Sequence, residues 1–471
     1  PVYTKKVHTD VSYIFCAKKL FEYSDLIYPQ FATHNAVTMA YIRTLGKGIE
    51  FEFQKLHGMG DSLHNESVKT IPTRIYAPVG RYEDLLAYLM RRMLENGANS
   101  SFVYQASDPN LPISKLTEDP ISIAKQDYLD LIPTPAEIFK NRFNSLGYDL
   151  GIKFNFEKIK REIEKYSNKS YSISSIISGE TIGSTDAKPV YSPCDLSKKI
   201  GEVSKMQGSE MVKALDAAHD GFIQWSKTDF LKRAELLEAI AEKFHENRYE
   251  LYSILINEGG KNIKDSIAEV REAIDFARYY ASQARDLFKP TKMQGYTGET
   301  NELRLCPRGV FLCISPWNFP LAIFSGQIFA ALVSGNTVIS KPAESTSIIA
   351  HYAINLMLEC GVPKSVLHLV LGSGREISKY IIEDNRISGV CFTGSNETAR
   401  SINMALASRN CGIAAFIAET GGQNAMIVDS SALLEQVCDS VIQSAFGSIG
   451  QRCSALRVLY VQEEVYDKLI T

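Results

Sequence analysis

The sequence predicts an α/β protein in consecutive parts: βα units of a parallel sheet or barrel, a connector, and a doubly wound α/β domain. Three observations predict it. In residues 1–105, extended apolar runs recur about every 25 residues with helical patterns between them, a spacing that requires parallel strand pairing. Residues 106–198 are rich in Pro, Ser, Asp and Lys, as a connector is. From Arg304 to Asp429, short β-rich runs alternate with helix-length segments, the pattern of an open doubly wound sheet.

The elements follow in order. Leu26–Phe31 reads as a strand, with a helix from about Asn35; Phe51–Leu56 as a strand, with a helix around Asp61–Val68. Arg74–Val79 reads as a strand before a strong helix, Tyr82–Glu95, which Asn96-Gly97 closes as a C-cap. Polar residues cluster just after these strands: Thr33-His34-Asn35, His57-Gly58-Met59-Gly60 and Tyr76. In βα barrels those positions form the ligand-binding face. Asp108-Pro109, Asp119-Pro120 and Pro133-Thr134-Pro135 punctuate the connector. Residues 199–300 read as helical, with Leu236, Leu237, Ile240 and Phe244 on one core face.

Between Arg308 and Lys341 no residue is charged, so the segment imitates a membrane span. Pro316-Trp317-Asn318, Pro320 and Gly335-Asn336 interrupt it. It divides into a strand, Gly309–Ser315, a helix, Ala322–Ser334, and a strand, Asn336–Ser340: a buried β-turn-α-turn-β unit. Further strands are expected at Val366–Leu371, Gly389–Thr393 and Ala425–Val428.

Composition bounds the function. A length of 471 residues suggests roughly three domains. Hydrophobic content of 45% and charged content of 22% are those of a globular protein. A net charge of −3, with no basic helix-turn-helix or ribbon, excludes a DNA-binding regulator and an electrostatic membrane binder. The nine cysteines are scattered and form no CxxC, which argues against a disulfide framework or a metal site and for a reducing compartment. No targeting peptide is visible. The chain opens without Met inside what reads as an existing fold, so an internal piece of a longer protein is expected.

Two runs carry the chemistry. Cys453 lies in Gly447-Ser448-Ile449-Gly450-Gln451-Arg452-Cys453-Ser454, and Glu419 heads Glu419-Thr420-Gly421-Gly422, 34 residues upstream. The ordinary role of a cysteine is a small core hydrophobe. Beside an arginine and small residues, however, a thiol can be held as the nucleophilic thiolate, and a carboxylate at a Gly-Gly turn can activate water. The pair suffices to attack an aldehyde and hydrolyse the thioester that results. Asn318 offers an amide at the end of a buried strand, either a turn residue or an oxyanion donor. Lys341 and Glu344, after the next strand, are either a solvated loop or a ribose-binding pair, in which the carboxylate favours NAD over NADP. Gly372-Ser373-Gly374 and Phe392-Thr393-Gly394-Ser395 each open a helix, where phosphates bind. Ile377 occupies the place of a third glycine, so the first of these is a weak dinucleotide signal. Tyr88, Arg91, Arg92 and Glu95 share one helix face, either solvated or holding a carboxylate ligand.

The runs SPWNFP, KPAE, FTGS, ETGGQNAMIV and GQRCSALRV, in this order over about 170–471, resemble the aldehyde dehydrogenase superfamily. The last two most resemble its glutamate semialdehyde (Δ1-pyrroline-5-carboxylate) branch. The runs YPQFATHNA, FEFQKLHGMG, RIYAPVG and YLMRRMLENGANSSFV resemble the C-terminal part of the FAD-dependent proline dehydrogenase barrel. Both in one chain are similar to the bifunctional bacterial proline utilization flavoproteins.

The resemblance implies a barrel part at 1–105, a connector at 106–198, an NAD-binding domain at 199–424 and the start of a catalytic domain at 425–471. It implies Cys453 as nucleophile, Glu419 as general base and Asn318 as oxyanion donor. Trp317, Lys341, Glu344, Gly394 and Ser395 would bind NAD. Thr33, His34 and Asn35 would contact FAD, and Arg91 and Arg92 would clamp the proline carboxylate, with Tyr76, Tyr88 and Glu95 around it. The implied substrates are glutamate semialdehyde and proline, in a cytoplasmic homo-oligomer open to peripheral membrane association. The chain ends 18 residues after Cys453, before the family's catalytic domain is complete, and the first barrel strands are missing. FAD is therefore not expected to be retained. A catalytically inactive piece, keeping at most nucleotide binding, is the alternative reading.

Overall fold

The computed structural model describes residues 3–126, 133–184 and 186–471, so residues 127–132 and Thr185 of the expected connector lie outside the described residues. The chain forms two compact units, Pro1–Ile132 and Pro133–Thr471.

In the first unit, helix α1 (Lys6–Glu22) precedes three βα pairs: β1 (Gln30–Ala32) and α2 (Ala36–Leu45), β2 (Glu52–Leu56) and α3 (Asp61–Ser67), β3 (Thr73–Tyr76) and α4 (Tyr82–Gly97). The strands pair in parallel in the order β1-β2-β3, as the spacing requires. Phe21, Phe31, Phe51 and Phe53 pack between sheet and helices as its core, Phe51 meeting each of the other three rings edge-on. The first strand is shorter than expected. Leu26, Ile27 and Tyr28 are exposed, and the chain leaves α1 through turns up to Pro29. Helix α4 runs through Gly97, and Ala98, not Asn96-Gly97, ends it in extended conformation. Short helices α5 (Phe102–Ala106), α6 (Ile113–Leu116) and α7 (Pro120–Gln126) follow.

The second unit takes in much of the expected connector. After α8 (Lys153–Glu164) come β4 (Tyr171–Ile173), β5 (Ser175–Ile177), β6 (Glu180–Ile182), β7 (Ala187–Ser192) and β8 (Asp195–Ser204). Strands β5 and β6 extend the central sheet, and β4, β8 and β7 form a sheet of their own. Serine-rich composition hides these strands, because the serines serve as backbone partners: Ser175 Oγ accepts from Leu371 N at 2.9 Å. Helices α9 (Val212–Trp225), α10 (Phe230–Glu246), α11 (Arg248–Gly259) and α12 (Ile263–Leu287) follow, and then the hairpin β9 (Thr291–Met293) and β10 (Asn301–Leu303). Leu237, Ile240 and Phe244 of α10 are fully buried, as their helical spacing predicts.

The central sheet is built from β11 (Val310–Ile314), α13 (Ala322–Val333), β12 (Thr337–Lys341), α14 (Ser347–Glu359), β13 (Leu367–Leu369), α15 (Gly374–Ile377), β14 (Ile387–Gly394), α16 (Asn396–Ala407) and β15 (Ala415–Thr420). Its order is β15-β14-β11-β12-β13-β5-β6, parallel from β15 to β13. Alternate residues of β11 feed opposite faces: Phe311 and Cys313 join one core, Val310 and Leu312 the other. The uncharged 309–340 stretch is a buried β-α-β unit, and among the described residues no helix is long and apolar enough to cross a membrane. Gly335, at φ +84°, closes α13 with bonds from Gly335 N to Leu332 O and from Asn336 N to Ala331 O. The expected strand at Ala425–Val428 exists as β16 (Asn424–Val428) but leaves the doubly wound sheet. After α17 (Leu434–Val441) it pairs in parallel with β17 (Leu456–Val461), and α18 (Glu463–Ile470) follows.

Candidate active site

In the parallel part of the central sheet the strand order reverses between β11 and β14, and ligands bind at such a switch point, beyond the strands' C-terminal ends. A cleft of 1290 Å³ opens there. The turn after β11 supplies Ser315, Trp317 and Asn318; the end of β12 and the turn beyond supply Lys341 and Glu344; β14 supplies Gly394 and the cap of α16 supplies Ser395; β15 supplies Glu419; and the loop before β17 supplies Gln451, Arg452 and Cys453. All eight residues expected in this site from the sequence line this one cleft.

The loop carrying Cys453 is unusual in backbone. Ser448, Ile449 and Gly450 have φ of 53°, 59° and 67° in succession. Left-handed conformation costs a non-glycine residue roughly 1–2 kcal/mol, more for a β-branched one such as Ile449, so the surroundings must fix it. Arg457 Nη2 donates to Gly450 O at 2.7 Å, and Arg452 donates to Ser448 Oγ from Nε at 3.1 Å and from Nη2 at 2.8 Å. Asn424 Nδ2 donates to Cys453 O at 2.7 Å and to Ala455 O at 3.0 Å. Cys453 itself is exposed to the cleft.

Glu419 sits on the edge strand β15, in register with Thr393 of β14. Gln327 Nε2 donates to Thr393 Oγ1 at 3.0 Å and to Ile314 O at 3.3 Å, tying together the two strands that flank the switch point. The side chain of Asn318 does not stand free: its Nδ2 donates to Gln451 O at 2.8 Å, which joins the turn after β11 to the nucleophile loop. Below that turn, buried Glu269 of α12 accepts from Leu321 N at 2.8 Å and from Ala322 N at 3.4 Å at the start of α13, and pairs with Lys261 at 2.8 Å.

At the other end of the cleft, Lys341 is buried, and burial pulls its ammonium below the usual lysine range, with Glu344 opposing. Glu344 forms an ion pair with Lys205. Ser395 caps α16, its Oγ accepting from Thr398 N at 3.2 Å and donating to Thr398 Oγ1 at 3.0 Å. The N-terminus of this twelve-residue helix faces the cleft. Gly372-Ser373-Gly374 is a plain capped turn, with Ser373 and Glu376 in a capping box.

A second cavity, of 450 Å³, lies in the first unit at the C-terminal ends of its strands. Thr33, His34, Asn35, Tyr76, Arg92 and Glu95 line it, with Gln54 and Leu56, which the sequence reading did not single out. Tyr88 and Arg91 are not in its lining. Tyr88 lies next to it, with the Arg92 guanidinium 5.4 Å from its ring centre. Asn35 is the N-cap of α2, accepting from Val37 N and Thr38 N, and burial lowers the His34 imidazole.

Sequence reasoning missed Lys205, Asn424, Arg457 and Gln327. Asn424 and Arg457 lie within runs already singled out. Lys205 and Gln327 come from segments with no local signal.

Residues 181–471 match the aldehyde dehydrogenase family and residues 1–105 the proline dehydrogenase family. The bifunctional protein PutA of Klebsiella aerogenes is 44% identical over 495 residues, covering 100% of this chain and 37% of that protein. The crystal structure of proline utilization A from Bdellovibrio bacteriovorus, inactivated by N-propargylglycine, superposes with a TM-score of 0.87 at 32% identity, covering 100% of this chain and 50% of that one. The 1-pyrroline-5-carboxylate dehydrogenase from Thermus with bound NAD superposes with a TM-score of 0.67 at 30% identity, covering 71% of this chain and 66% of that one. The chain thus spans well under half the length of the bifunctional relative from Klebsiella.

Proposed function

The chain belongs to the aldehyde dehydrogenase family, and on that premise we propose that its second unit oxidises L-glutamate γ-semialdehyde, formed from Δ1-pyrroline-5-carboxylate, to L-glutamate with NAD. One observation carries this reading: Cys453, Glu419 and Asn318 converge on one cleft whose far end holds the Lys341 and Glu344 pair. The Cys453 thiolate adds to the aldehyde carbon. Asn318 exchanges its bond to the Gln451 carbonyl for one to the resulting oxyanion, joined by the Cys453 backbone N–H. NAD, when bound, accepts the hydride. Glu419 then takes a proton from the water that cleaves the thioester and releases glutamate.

The site fits the dinucleotide. The Ser315 hydroxyl is buried beside the cleft without a partner, Lys341 is buried along its wall, and the start of α16 offers free N–H groups for phosphate. Trp317, Gly394 and Ser395 complete that wall in this reading.

For the first unit we propose the flavin-facing part of a proline dehydrogenase, coupled to the second unit in proline catabolism. Thr33, His34 and Asn35 would lie against FAD. Arg92 and Arg91 would hold the proline carboxylate, with Tyr76, Tyr88 and Glu95 around it. The buried Arg92 Nε, which has no partner, supports an anionic ligand there. Nine free cysteines support a reducing, cytoplasmic setting for the intact protein, which we take to be a homo-oligomer. The test is NADH formation from glutamate semialdehyde by the chain and its Cys453→Ala variant. Aldehyde-dependent NADH from the parent alone is expected, and equal turnover by the variant refutes the reading.

A further inference from the structure

The carboxylate of Glu344 is the group that, by its charge, would turn away a dinucleotide with a 2′-phosphate on its adenosine ribose. In this fold it does not stand alone. Lys205, 139 residues earlier in the chain, closes an ion pair with it. The placement is built into the backbone. Ser184 N donates to Lys205 O at 3.2 Å and Met206 N donates to Leu371 O at 3.1 Å, so the segment leaving β8 is pinned to the C-terminal end of β13, beside the cleft. Lys341, buried in the cleft wall, is close enough to both partners to feel the charge of each. The ribose end therefore carries two ammonium groups against one carboxylate, and its local balance is positive rather than negative. The Lys205 and Glu344 side chains are 40% and 45% exposed, so the lysine is free to leave its partner when a stronger anion arrives.

We propose that Lys205 is a specificity-determining residue of the dinucleotide site: it neutralises Glu344 and supplies a cation to a 2′-phosphate, so that the cleft accepts 2′-phosphorylated and unphosphorylated dinucleotides alike. The inference rests on the reading of the cleft as a dinucleotide site, and it removes the preference for NAD over NADP that Glu344 alone implies. With NAD, the Lys205 pair holds the carboxylate against the ribose hydroxyls. With NADP, the ammonium turns to the 2′-phosphate, and Lys341 balances the carboxylate left behind.

The test is equilibrium binding of NAD and NADP to the full chain, read by quenching of protein fluorescence, in the parent and in Lys205→Met, Lys205→Arg and Glu344→Gln. In the parent the two dissociation constants should lie within about tenfold of each other. Lys205→Met should weaken NADP at least tenfold while changing NAD less than threefold. Lys205→Arg should behave like the parent, a rescue that a merely structural role for the lysine would not show. Glu344→Gln should tighten NADP relative to NAD. Equal effects of Lys205→Met on both cofactors, or none on either, overturn the inference and leave the dinucleotide reading standing. Failure of the parent to bind either cofactor overturns the dinucleotide reading, and this inference with it.

Discussion

At the scale of single residues, buried titratable groups give the plainest predictions. His368 is fully buried on β13, with Nδ1 accepting from Ser178 N at 3.1 Å and Nε2 facing Ser365 O at 3.2 Å. The Ser178 bond requires an unprotonated Nδ1, and burial lowers the imidazole to about 4. The folded pKa therefore lies below the unfolded one. The neutral ring's stability is fully present above about pH 6.5 and is lost as pH falls towards 4, by up to about 3 kcal/mol. Urea midpoints across this window should fall with pH in the parent, and less steeply in His368→Gln. A parallel fall in both would remove His368 as the cause. Nothing in the sequence marked this histidine, because its partners lie on β5–β6 and on the turn before β13. Cys453 and Glu419 were legible because their neighbours in sequence carry their signal. Lys205 was not, since its meaning comes wholly from a partner 139 residues away.

At the scale of elements, the cleft depends on how loops are anchored to helices. Glu269 of α12 satisfies the first N–H groups of α13 and neutralises the buried Lys261. Glu269→Ala leaves a buried ammonium and two N–H groups without partners, which should destabilise the second unit by about 3–5 kcal/mol. Glu269→Gln, which keeps an acceptor, should cost less. Thermal unfolding of both variants measures this, and equal midpoints would contradict the anchoring role. Asn424 fixes the nucleophile loop by donating to Cys453 O and Ala455 O. Asn424→Ala should change the rate at which iodoacetamide alkylates Cys453 while dinucleotide binding persists, and an unchanged rate would show that the loop holds itself. The sequence showed the β-α-β unit at 309–340 clearly, because apolar runs of strand and helix length meet at Pro and Gly. It hid β15, whose Ala415–Thr420 run is too short and alanine-rich to separate strand from helix by period. It also hid β5, a three-residue strand, Ser175–Ile177, too short to show a period and set among serines.

At the scale of the whole chain, the two units carry separate pockets, and their prospects differ. The first unit's three-stranded sheet leaves β1 and β3 as edges, and such a sheet walls a bound cofactor on few sides. The purified chain should therefore not carry FAD in equal amount, and a flavin absorbance of one equivalent would contradict this. The sequence predicted both parts of the chain. The sequence reads residues 106–198 as one connector, whereas the compact units divide between Ile132 and Pro133, since Pro, Ser and Lys mark loops and strands alike. In the proposed reaction Cys453 and Glu419 divide the chemistry of the second unit between acylation and deacylation. Rapid mixing of Glu419→Gln with NAD and glutamate semialdehyde tests it most directly, because Gln keeps the size of the side chain and removes the base. A burst of NADH near one equivalent followed by a much slower steady state is expected, with no NADH at all from Cys453→Ala. Undiminished steady turnover in Glu419→Gln, or full turnover in Cys453→Ala, would contradict it.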